Sequence, residues 1–131
     1  MRAHNLSDLD ITGREKILHA EPHFDFYRIK RARSASITFG HEADDGKYPS
    51  LVLVTDYRGD SGAYELTIRF DGIRELVLPE MRPALLFTEL EVEDVRGRML
   101  EGVRFEVASH YDRSFQCLCR DIAVVNFEIA P

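Results

Sequence analysis

Two five-residue runs constrain this chain more than anything else in it. Leu66-Thr67-Ile68-Arg69-Phe70 and Val103-Arg104-Phe105-Glu106-Val107 alternate strictly between apolar and polar residues. A period of two places every apolar side chain of a run on one face of a β-strand, and it cannot do so on a helix. Leu66, Ile68, Phe70, Val103, Phe105 and Val107 are therefore expected to share one core. Similar segments cover Phe24 to Ile29, Ala35 to Phe39, Ser50 to Asp56, Ile73 to Leu78, Phe87 to Val92, Phe115 to Arg120 and Ile122 to Ile129. Turn-forming residues punctuate them at Asp44-Asp45-Gly46, Gly59-Asp60-Ser61-Gly62, Asp71-Gly72 and Tyr111-Asp112-Arg113-Ser114. Asp71-Gly72 is the strongest hairpin signal, because both residues tolerate the positive φ of a type I′ turn. The expected fold is mainly β: an antiparallel sandwich or barrel of about eight or nine strands.

Helix signals are confined to Ser7–His19, where Leu9, Ile17 and Leu18 suit one short helix and Ile11-Thr12-Gly13 interrupts it. The chain reads as a single β-rich domain over 1–131, with 1–20 as an N-terminal extension. Its 131 residues suffice for one core and not two. The longest apolar runs are four residues, too short for a spanning helix, so no membrane association is expected. The start, Met1-Arg2-Ala3-His4-Asn5-Leu6-Ser7-Asp8, has no apolar leader, which favours the cytoplasm. Net charge is −6, with 9 basic and 11 acidic residues in 1–66 and 8 and 12 in 67–131. Neither half supplies the positive field that nucleic acid requires.

Motifs that suggest chemistry also have structural readings. Cys117 and Cys119 on a strand would point the same way about 6.8 Å apart, a spacing poorly suited to converging on zinc. Their phase with Phe115 reads as a core face of reduced thiols, with metal and disulfide as the competing readings. No cofactor and no metal are expected. Gly59-Asp60-Ser61-Gly62 matches the surroundings of a serine-protease nucleophile, but sits where a hairpin turn is needed. Ser109, His110 and Asp112 are too close in sequence to align as a triad. His41-Glu42-Ala43-Asp44-Asp45-Gly46 lacks the ligand spacing of a calcium loop. The basic group Arg28, Lys30, Arg31 and Arg33 reads as protection of an exposed strand edge.

The acidic run Glu89-Leu90-Glu91-Val92-Glu93-Asp94 is the candidate partner-binding site. On a strand, glutamates at i, i+2 and i+4 would project from one face within roughly 14 Å. Such a stripe suits a protein partner with a basic surface, although any outward strand face is polar. A second reading is a small-ligand or carbohydrate-binding β domain with Tyr48, Tyr57, Tyr64 and Phe87 as stacking surfaces.

The segments Pro22-His23-Phe24-Asp25, Tyr48-Pro49-Ser50-Leu51-Val52-Leu53, Tyr64 through Ile73, and Phe115-Gln116-Cys117 follow an order that resembles a group of small β-rich bacterial proteins, some classed as immunity proteins of polymorphic toxin systems. The resemblance covers roughly residues 20–130. Members often carry a Trp-Pro-x-x-His-Asp pattern. This chain has no tryptophan, and His23-Phe24-Asp25 splits the His-Asp pair. The resemblance implies an intracellular, non-enzymatic binding protein and brings no catalytic residues with it.

Overall fold

The computed structural model describes residues 6–39, 48–80, 84–98, 100–109, 111 and 113–130. Among these, nine strands form two antiparallel sheets packed as a sandwich, with no closed barrel. A 3-10 turn at Leu6–Asp8 and helix α1 (Arg14–Leu18) come first. The strands follow as β1 (Ile29–Thr38), β2 (Ser50–Arg58), β3 (Ala63–Asp71), β4 (Arg74–Val77), β5 (Leu85–Leu86), β6 (Leu90–Asp94), β7 (Phe105–Ser109), β8 (Gln116–Cys119) and β9 (Asp121–Ile129). One sheet has the order β5-β1-β2-β3-β9 and the other β4-β8-β7-β6. No helix among the described residues is long and apolar enough to cross a membrane.

The alternation read from sequence sets the core. In β2 and β3, Leu51, Leu53, Tyr57, Tyr64, Leu66, Ile68 and Phe70 face inward and are buried. They meet Leu90, Val92, Phe105, Val107, Cys117 and Cys119 of the opposite sheet in one hydrophobic cluster. Phe115 joins the layers, its ring centroid 5.1 Å from Phe87 and 6.5 Å from Phe70. Thr55, the one polar residue in the inward series of β2, donates its hydroxyl to the Leu66 carbonyl at 2.9 Å, which satisfies it locally. Val103 is buried, but it precedes β7 and lies outside the main cluster.

Three segments depart from the sequence reading. Phe24 to Ile29 is not a strand: Phe26–Arg28 forms a 3-10 turn, and the Asp25 carboxylate caps it by accepting the Tyr27 amide at 2.9 Å. Phe24 and Phe26 are both buried, so spacing by two arises here from a turn. Asp71-Gly72 turns the chain but closes no hairpin with β3. Both flanks of β3 are already occupied by β2 and β9, so Gly72, at φ +65, directs the chain into the other sheet, where β4 pairs with β8. The segment Ser7–His19 splits at Gly13 (φ +80). Thr12 forms a parallel bridge to Ala123, its amide donating to the Ile122 carbonyl. Leu6, Leu9, Ile11 and Ile17 nonetheless enter the core. The Asp44-Asp45-Gly46 turn and the His41–Gly46 acidic cluster lie outside the described residues.

Candidate partner-binding surface

β6 is an edge strand of the four-stranded sheet, paired with β7 on its inner side. Leu90 and Val92 point into the core, so Glu91 and Glu93 take the outward phase. Glu89 does not continue that phase. It precedes the strand with φ +46 and is exposed. Asp94 has the opposite parity, its Cα partner being the inward-facing Phe105. The single-face stripe of Glu89, Glu91 and Glu93 is thus corrected: strand geometry begins only at Leu90.

The environments of these carboxylates also differ. Glu91 is buried, because the 3-10 turn before β1 brings Tyr27 against it and the phenol donates to Glu91 Oε1 at 2.9 Å. Burial, with the Glu91 acceptor second, pushes the Tyr27 phenol up to about 12, which keeps it a donor. Glu93 stands directly opposite Glu106 on β7. Like charges so placed repel. Arg98 lies 2.5 Å from Glu93 and 3.6 Å from Glu106, and Arg113 reaches Glu106 at 3.5 Å. Asp94 accepts the Arg96 amide at 3.0 Å and pairs with its guanidinium at 2.7 Å; the Arg96 side-chain hydrogen bond holds the Asp94 carboxyl below its usual range against the opposing effect of burial.

Glu106 is the member that sequence reasoning missed. It belongs to the alternating run used to define the core, and its place beside Glu93 follows from the β6–β7 register, which the linear pattern does not contain. Across β7 and β8, Glu75, Glu106, Gln116, Cys117 and Leu118 line a depression of about 70 Å³. That is far below the ~300–1,000 Å³ of typical ligand pockets. The carboxylates around this edge, Glu75, Glu89, Glu91, Glu93, Asp94 and Glu106, outnumber the arginines that pair with them, Arg96, Arg98 and Arg113.

The other singled-out residues have structural roles. Cys117 and Cys119 are free, buried thiols in the core cluster. The Cys117 thiol, with burial second, pushes the Cys119 thiol well up. Among the described residues, no group of three or more His, Cys, Asp or Glu converges to hold a metal. Tyr57, Tyr64 and Phe87 are buried and cannot stack on an external ligand. Tyr48 is exposed, but Arg74 covers its ring at 4.2 Å. Arg28, Arg31 and Arg33 pair with Asp60, Asp56 and Glu65. Ser109 is buried, and His110 and Asp112 lie outside the described residues.

Fold and surface together define a small antiparallel β-sandwich whose distinctive exterior feature is a charged sheet face. The family model described as Immunity protein PIM8 matches residues 25–125. The chain belongs to this immunity protein family, in agreement with the resemblance carried by its segment order. Neither the curated proteins nor the solved structures contain a match to it.

Proposed function

We propose that this protein is a non-enzymatic immunity protein that binds a cognate toxin in the cytoplasm of the producing cell and blocks it by direct contact. The observation that carries this reading is the family match over residues 25–125. The docking surface we assign is the β6 edge of the four-stranded sheet, comprising Glu89 before the strand, Glu91 and Glu93 on its outward phase and Asp94 at its end, with Glu106 of β7 added. Its negative potential suits a basic toxin surface, since complementary fields raise association rates. Glu91 is buried and accepts the Tyr27 hydroxyl; Glu89, Glu93 and Glu106 are the carboxylates a partner reaches.

The test is binding kinetics with the toxin encoded beside this gene, comparing wild type with Glu89→Gln/Glu93→Gln/Glu106→Gln. Association of the variant is expected to slow by roughly tenfold at low ionic strength. The difference should shrink as salt shortens the screening length to about 8 Å. Equal association rates at low salt would remove this face from the interface.

A further inference from the structure

The outer edge of β1 has an unusual division of charge. β5 covers it only at Arg31 and Ala32, which pair with Leu86 and Leu85. From Arg33 to Phe39 every residue is exposed, and no described strand pairs with that side. Natural sheet edges are commonly guarded by charges, prolines or bulges. Here the arginines and both register shifts lie at or before Arg33 and Ser34, in and beside the covered half. The open half, Ser34-Ala35-Ser36-Ile37-Thr38-Phe39, has no charge and no proline. Its register with β2 is unbroken from Ser34 to Thr38. Ile37 is 44% and Phe39 76% exposed.

The two faces of this open half are also sorted. Ala35 and Ile37 stand opposite Leu53 and Leu51, on the inward side, whereas Ser34, Ser36 and Thr38 stand opposite Val54, Val52 and Ser50, on the outward side. We propose that the occupant of this edge is a second copy of the same chain, its β1 added antiparallel about a twofold axis at Ser36. That axis sets each Ala35 opposite Ile37 of the other copy, small against large, and each Ser34 opposite Thr38. Apolar row continues apolar row and hydroxyl row continues hydroxyl row, as an isologous contact requires. The charge pattern selects this occupant. A strongly charged strand finds no counter-charge between Ser34 and Phe39, and an identical neutral strand meets no repulsion even though each chain carries −6. The joined sheets become one run of eight strands, β9-β3-β2-β1 and its copy, with each β5 remaining beside Arg31 and Ala32 of its own β1. This inference is independent of the toxin-binding reading.

Sedimentation equilibrium on the full chain tests it. Wild type is expected to approach twice 15.1 kDa as concentration rises. Ser36→Lys, which sets two ammonium groups facing each other across the axis, is expected to halve that mass, and Ser36→Thr to preserve it. Position 36 is exposed, so thermal melts of the Lys variant should match wild type at dilutions where wild type is monomeric. As a second measurement, Ser36→Cys should form a disulfide-linked dimer on mild oxidation much faster than Glu128→Cys on the opposite edge strand. A wild type that stays monomeric to high micromolar concentration overturns the proposal. So does a dimer that Ser36→Lys leaves intact, or equal crosslinking at the two positions.

Discussion

Glu21 is a buried carboxylate whose role is fixed by two backbone amides. The Asp60 and Ser61 N–H groups donate to its two oxygens, each at 2.8 Å, so the carboxylate fastens the segment after α1 to the β2–β3 turn. Gly59 is needed there because a Cβ at that position would collide with the Glu21 carboxyl group. Burial opposes ionisation, yet the Ser61 and Asp60 hydrogen bonds prevail and hold the Glu21 carboxyl below its ordinary 4.5. A depressed carboxylate contributes stability that is complete above the unfolded value and lost as pH falls through the folded one. Glu21→Gln sets an N–H against an amide N–H and is expected to cost about 1–3 kcal/mol at neutral pH. The gap from wild type should close below pH 4.5, as the native carboxyl protonates and loses the same interaction. Urea melts at neutral and acid pH check this, and a gap that is constant with pH would assign the loss to packing instead.

At the scale of elements, period-two patterning was legible wherever a strand has one face in the core, as in β2, β3 and β7. It failed where another local structure shares the spacing. Phe24 and Phe26 are two apart and buried, but the capping Asp25 selects a 3-10 turn. At Asp71-Gly72 the turn chemistry was readable and the destination was not, since that depends on β9 already occupying the flank of β3. The acidic surface shows the same limit. Glu91 and Glu93 follow from alternation, but Glu106 enters only through strand register, and the burial of Glu91 only through Tyr27, 64 residues away in sequence. The N-terminal extension is likewise tied in by contacts that short patterns do not reveal. Ile17 of α1 is 1% exposed and belongs to the main core cluster. Ile17→Ala is therefore expected to destabilise the protein by about 2–5 kcal/mol, the usual range for a core cavity. The denaturant midpoint should fall with an unchanged m-value. A loss under about 1 kcal/mol would instead mark α1 as peripheral to the core.

Across the whole molecule, the two sheets are held by a core in which Cys117 and Cys119 sit beneath strands from both layers, at 2% and 0% exposure. Attack on a disulfide reagent requires a thiolate in contact with solvent. Here the Cys119 thiol is pushed well up by its neighbour Cys117 and by burial, and β8, which carries both, is flanked by β4 and β7. Detaching β8 alone would expose Phe105 and Val107 of β7 as well as the thiols, so opening that reaches the cysteines should approach the free energy of global unfolding. Both thiols are expected to resist a water-soluble aromatic disulfide in the native state and to react fully in denaturant. The native reaction rate should follow the population of unfolded chain as urea is raised. The edge strand β4 supplies the competing route, because it pairs with β8 through an irregular register and contains Glu75 at φ +52. If β4 peels away first, the native thiols will react at a rate that barely changes with urea, and the four-stranded sheet, not the sandwich as a whole, becomes the unit that opens.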